Sequence, residues 1–238
     1  MAAARTKPRP YHHGALREAL IEASLAILAE EGLVALTLRS AARRVGVSHA
    51  APANHFGDLR GLLVAVAALG FQRLAHAMAE AAAVPRDPGL RLVEIGRAYV
   101  RFACRSTGHF RAMFHPALGP RSADGELERA SSAALEVLVS AIAAAQASGH
   151  VRAGDSMELS LTAWSLVHGL ATLVVDQHLA NKGLPHDADA LAASLGRHLL
   201  HGIGNDAPAR TRASSAARGT RVAASPPRPG RRRATTGG

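Results

Sequence analysis

Residues 37–56, Thr-Leu-Arg-Ser-Ala-Ala-Arg-Arg-Val-Gly-Val-Ser-His-Ala-Ala-Pro-Ala-Asn-His-Phe, constrain this chain more than any other stretch. Thr37 can cap a helix, because its hydroxyl can hold a free backbone N–H of the following turn. Leu38, Ala41, Ala42 and Val45 then recur at helical spacing. Gly46 stands where that helix must stop in a left-handed conformation, which glycine adopts without steric cost. Ser48 reads as a second cap, and a second short helix should run from His49 towards Asn54. Pro52 is barely tolerated near its start, so this helix should be short. Two short helices joined by a three- to four-residue turn containing Gly form a helix-turn-helix, whose second helix enters the DNA major groove. An ordinary helical hairpin would share the spacing but not the flanking signals described next.

A first helix is expected over 14–31, with Leu16, Leu20, Ala23 and Ile27 as its buried stripe and Gly32 as its end. Asp58 can cap a long fourth helix, whose Leu59, Leu62, Leu63, Val66, Leu69, Leu74 and Met78 keep one apolar face for about seven turns. Pro85 and Pro88 end it. Beyond them, helices are expected at about 89–105, 107–115, 122–148, 156–180 and 187–203, with no strand pattern. The chain therefore reads as all-α, with about nine helices. Hydrophobic residues make up 48% of it but aromatics only 3%, so Ala, Leu and Val must build the core. Those residues lose little on entering a helix.

Four segments follow: a disordered basic arm over 1–13, a helix-turn-helix unit over 14–74, a C-terminal helical bundle over 75–204, and a disordered Arg-rich tail over 205–238. The net charge of +10 lies in the two ends. The tail carries eight arginines against Asp206, the arm carries Arg5, Lys7 and Arg9, and the middle is neutral. The basicity thus argues only for loose attraction to polyanions. No eighteen apolar residues run without a charge or break, so no membrane partner is expected. The N-terminus lacks an apolar signal core, which suggests a cytoplasmic protein. The single Cys104 excludes an intramolecular disulfide.

The pattern over residues 11–74 resembles the TetR/AcrR family of one-component transcriptional regulators. It comprises Glu-Glu-Gly-Leu (30–33), the capped stretch from Thr37 to Ser48, His55-Phe56-Gly57-Asp58 and Leu62-Leu63. Tyr-His-His-Gly-Ala-Leu-Arg (11–17) and His-Ala-Ala-Pro (49–52) look like one branch, known for a C-terminal ligand-binding domain with a Trp…His-Gly signature. Trp164-Ser-Leu-Val-His168-Gly169 matches that signature. Two positions depart from the family. Ala53 stands where a Tyr is usual and Leu59 where a Lys is usual, and both family residues commonly touch DNA phosphate.

The candidate DNA-binding residues are Arg39, Arg43 and Arg44 on the backbone-crossing helix, which either meet phosphate or form a solvated face, with Ser48, His49, Ala50 and Asn54 on the reading helix. Asn54 can pair with adenine and Ala50 can meet a thymine methyl. His55 either reaches DNA or hydrogen-bonds within its turn. Phe102, Phe110, Met113, Phe114, Trp164 and His168 either line a pocket for a small-molecule effector or simply fill the core. The last two helices carry surplus apolar surface, implying a homodimer through them that presents two reading heads to a palindromic operator. No catalytic constellation, metal set or cofactor motif is legible. His198 and His201 lack a nearby acid on the same face, and Cys104 reads as a small core residue. The chain is thus expected to be a regulator, most simply a repressor released by its ligand, and not an enzyme. Two alternatives stay open: a ligand-binding or interaction module with weakened DNA binding, suggested by Ala53 and Leu59, or a general nucleic-acid-compacting protein, suggested by the tails.

Overall fold

The computed structural model describes residues 13–119 and 125–203, which lie in one compact unit. The basic arm (apart from His13) and the Arg-rich tail fall outside the described residues, as do 120–124, where the seventh helix was expected to begin. The described residues are all-helical, with ten α-helices and no β-strand. In chain order they are α1 (His13–Glu30), α2 (Leu38–Val45), α3 (Ala51–Phe56), α4 (Leu59–Ala83) and α5 (Pro88–Arg105). Then follow α6 (Thr107–Met113), α7 (Gly125–Ala147), α8 (Ser156–Val175), α9 (His178–Asn181) and α10 (Ala188–Ile203). Single 3-10 turns occupy Leu33–Ala35 and Pro116–Leu118.

The count exceeds the nine expected because the stretch 156–180 is divided. Gln177 takes a left-handed backbone (φ 57°), so α8 stops at Val175 and the short α9 follows. The other expected helices appear close to their sequence limits. α1 buries Leu20, Ala23 and Ile27, and the Gly32 N–H closes its end on the Ile27 carbonyl. Asp58 caps α4 by accepting the Gly61 N–H at 2.8 Å, and Asp87 caps α5 through the Leu90 N–H at 2.8 Å. That backbone N–H is the main reason the Asp87 carboxyl lies below its ordinary pKa.

One hydrophobic core runs through the unit, built largely from Ala, Leu and Val with Phe71, Tyr99, Phe102 and Phe110. Its axis is α4, about 37 Å long at 1.5 Å per residue, which packs against α1, α3, α5, α6 and α7. At the far side α10 is fastened to α5. Asp189 at the start of α10 pairs with Arg97 and with Arg101 (2.5 Å), and Glu94 pairs with Arg97 (2.5 Å). The two guanidinium groups hold the Asp189 carboxyl down to a pKa of about 2. The same hydrogen bonds push Arg97 above its already high value.

Hydropathy needs one correction. By length and composition, α4, α7 and α8 are each long and apolar enough to cross a membrane. In α4 the cause is its central position. A helix covered on several sides needs apolar residues around most of its circumference, as a spanning helix does.

Candidate nucleic-acid interface and ligand cavity

Thr37 and Ser40 form a reciprocal cap at the start of α2. The Ser40 N–H donates to Thr37 Oγ1 and the Thr37 N–H to Ser40 Oγ, both at 2.9 Å. Gly46 closes α2 with φ 77°. Ser48 does not cap α3, contrary to the sequence expectation. The Ala51 N–H that its hydroxyl would hold is taken by the Ser48 carbonyl at 3.0 Å, so the helix starts at Ala51 after a turn. Pro52 occupies the first turn of α3, which spans only six residues, as its position implied.

Seven of the eight sequence-selected residues share the exposed surface of this motif: Arg39, Arg43, Arg44, Ser48, His49, Ala50 and Asn54. They are not electrostatically alike. Arg44 is already bound to Glu30 (2.5 Å) and Glu31 (3.3 Å) at the end of α1. Arg39 and Arg43 have no such ion pair among the described residues. His55 is half-buried, with its ring 6.2 Å from that of Phe56. Phe56 packs against the core, and Arg17 stacks over its ring at 5.5 Å.

The angle between α3 and α4 depends on a residue that sequence reasoning passed over. A Cβ at Gly61 would lie 1.9 Å from the Phe56 carbonyl oxygen. Only glycine lets the end of α3 approach the first turn of α4 so closely. Its sole sequence signal was a glycine inside a helical pattern three residues after a cap.

The C-terminal half encloses a cavity of about 280 Å³ between α4, α5, α7, α8 and α10. Phe71, Leu74 and Met78 of α4 form one wall, and Leu138, Ile142, Leu199 and Leu200 lie across from it. Of the six candidate pocket residues, Phe114 and Trp164 line this space. Phe102, Phe110 and Met113 are instead buried in the core, and His168 stands behind Tyr99. The sequence could not separate wall from core, because aromatic type marks burial and not the direction of facing.

Tyr99 is the missed residue that organises this wall. Its hydroxyl lies 2.8 Å from His168 Nδ1 and 3.3 Å from the Trp164 indole nitrogen. The indole N–H can only donate. All three groups are satisfied when Trp164 donates to the Tyr99 oxygen and the Tyr99 hydroxyl donates to His168. His168 is then neutral, with its proton on Nε2. Burial favours this state, lowering the His168 pKa and raising that of Tyr99. The His168 ring also meets Phe114 at 4.4 Å and Phe110 at 5.4 Å.

A buried histidine, His109 on α6, was also missed. Arg73 of α4 reaches its Nε2 at 2.8 Å, so Nε2 accepts and Nδ1–H faces the Val66 carbonyl at 3.3 Å. Burial first, and the Arg73 charge second, keep His109 below its ordinary pKa. Next to it, Arg111 donates to the carbonyls of Leu28 (2.8 Å) and Ala29 (3.2 Å) at the end of α1 and lies 3.6 Å from Asp176 beyond α8. The short α6 is therefore bonded both to the helix-turn-helix half and to the cavity half.

Comparison with known proteins agrees with this architecture. Residues 92–199 match the family described as the tetracyclin repressor-like C-terminal domain. A 104-residue stretch is 31% identical to the HTH-type transcriptional regulator BetI of Rhizobium meliloti (strain 1021), covering 42% of this chain. The match spans about half (51%) of that curated relative. Among solved structures, a protein of unknown function from Rhodococcus sp. RHA1 superposes with a TM-score of 0.70 and 33% identity, over 83% of this chain and 100% of that one. PfmR, a TetR-family transcriptional regulator from Thermus thermophilus, superposes with a TM-score of 0.62 at 20% identity, over 79% and 97%.

Proposed function

We infer, from its tetracyclin repressor-like C-terminal domain and its TetR-type fold, that this chain is a ligand-responsive DNA-binding transcriptional regulator of the TetR family. The most economical form is a cytoplasmic repressor released from a palindromic operator by a small molecule. Residues 14–74 serve as the DNA-binding unit and 75–204 as the ligand-binding and dimerisation unit. The latter is of the branch with the Trp…His-Gly signature, in which Trp164 serves as cavity lining and His168 supports it through Tyr99.

One observation carries this reading. The helix that abuts the exposed reading motif at Asp58 and Leu59 also supplies Phe71, Leu74 and Met78 to the cavity wall. Filling the cavity therefore acts on the helix that carries the reading head. Such action shifts a population only if the ligand prefers one geometry over the other. The dimer is supported by apolar side chains left exposed on α8, where Met157, Leu161 and Leu173 are each more than 40% accessible. In this arrangement Arg39 and Arg43 hold phosphates, while Ser48, His49, Ala50 and Asn54 face the groove.

A titration tests the reading. The full chain and a form lacking residues 205–238 are bound to the gene's own upstream DNA and to scrambled DNA at several salt concentrations. Specific binding that survives removal of the tail supports the regulator. Binding to both sequences that vanishes with the tail would sink it, and so would failure to bind either.

A further inference from the structure

The cavity walls carry more information than the volume they enclose. Among the described residues that line the cavity, Glu128 is the single charged group, and it stands exposed in the first turn of α7. Ser131 and Ser132 lie next to it on the lining. Their hydroxyl protons are already committed. Ser131 Oγ donates to the Glu128 carbonyl and Ser132 Oγ to the Glu128 carboxylate, each at 3.1 Å. On the opposite side the indole N–H of Trp164 and the hydroxyl of Tyr99 are spent within the Trp164–Tyr99–His168 chain. Arg97 and Arg101 of α5 are bound by Glu94 and Asp189 and are not part of the lining.

Among the described residues, the walls therefore present a carboxylate, oxygen lone pairs and aromatic faces, with neither a cation nor an uncommitted side-chain donor. An anionic head would meet the exposed Glu128 carboxylate with no compensating charge among the described lining residues, which is repulsive. A cationic head would gain a charge-assisted hydrogen bond and a favourable approach to ring faces. We propose that this cavity takes an amphipathic cation, with its apolar body against Phe71, Leu138, Ile142 and Leu199 and an ammonium or amidinium head at Glu128. The inference rests on the reading of this cavity as the effector site, and it adds the chemical class of the effector.

The probes are decylammonium, decanol and decanoate, which share a ten-carbon chain and differ in head charge; only decylammonium carries a charged N–H donor for Glu128. Each is titrated into the full chain below its aggregation concentration while the fluorescence of Trp164, the sole tryptophan, is followed. The ammonium should bind at least about tenfold more tightly than decanoate. Glu128→Gln should weaken the ammonium by about tenfold while changing decanol less than twofold. Equal or tighter binding of decanoate, no binding of any probe, or equal weakening of all three by Glu128→Gln would overturn the proposal. Operator release is measured separately with the same probes. Preferential ammonium binding without release would leave the head-group assignment standing and remove the effector role. Release by decanoate in preference to the ammonium would do the reverse.

Discussion

The Arg111 guanidinium on α6 donates to the carbonyl oxygen of Leu28 at 2.8 Å, tying the end of the first helix to the helix that leads into the cavity half. The same group sits 3.6 Å from Asp176, just past the end of α8. One side chain thus touches both halves, and its two bonds differ in kind. The carbonyl bond satisfies an otherwise open helix end. The carboxylate contact is long and Asp176 is 43% exposed, so water screens it.

Arg111→Met should therefore cost about 1–2 kcal/mol of stability, whereas Asp176→Asn should cost less than about 0.5 kcal/mol. Urea unfolding of both variants checks the order. If Asp176→Asn is the more damaging, the ion pair and not the helix-end bond links the halves. Arg111→Met should also blunt the response of DNA binding to a cavity ligand, measured as the ratio of operator affinities with and without it.

Gly61→Ala introduces a Cβ 1.9 Å from the Phe56 carbonyl, which must move the end of α3 away from α4. A loss of about 1–3 kcal/mol is expected from the strain. Operator affinity should fall further than stability explains, because the reading helix is re-aimed. An operator affinity equal to wild type, measured where the variant is fully folded, would show that this approach does not set the reading angle.

The three arginines of α2 should separate in a salt titration. Arg43→Ala should reduce the slope of log K against log salt by roughly one, the signature of one lost phosphate contact. Arg44→Ala should leave the slope nearly unchanged, since Glu30 and Glu31 already neutralise that side chain. On the reading helix, Asn54→Ala should weaken operator binding by roughly 1–3 kcal/mol without altering dimerisation.

The Asp189 carboxyl has a pKa of about 2 in the folded chain, against about 3.9 when unfolded. Its folded value is depressed, so its pairing stabilises the fold fully above pH 4, and that contribution disappears as pH falls from about 4 to 2. Asp189→Asn should lower the urea midpoint at pH 7 and flatten its pH dependence between 4 and 2. A variant whose acid profile parallels wild type would remove the α5–α10 ion cluster as a source of acid sensitivity.

Much of the fold was legible because its signals are local. The Thr37 cap, the Gly46 turn, the Asp58 cap and the prolines after α4 each act within a few residues and appear where they were expected. Local reasoning failed where two partners compete for one group. Ser48 looked like a cap, yet its own carbonyl takes the N–H its hydroxyl would have held. It failed again at Gln177, where a non-glycine residue adopts a left-handed turn that no breaker announces.

The site divides in the same way. The exposed surface of the helix-turn-helix follows from helical periodicity: once Ala41 and Ala42 face inward, Arg39, Arg43 and Arg44 must face outward. The cavity does not follow from periodicity, since five helices build it and its central hydrogen bond joins residues 69 positions apart. The sequence by itself determined most of the helices, the Thr37 and Asp58 caps, and which side chains of the helix-turn-helix stand exposed. These depend on bonds and spacings within a few turns. Only the tertiary structure decided which aromatic residues face the empty space, that Tyr99 engages the polar atoms of Trp164 and His168, and that Glu128 is the one charged group among the described residues lining the cavity. Those outcomes depend on how distant helices pack, and no local spacing encodes that.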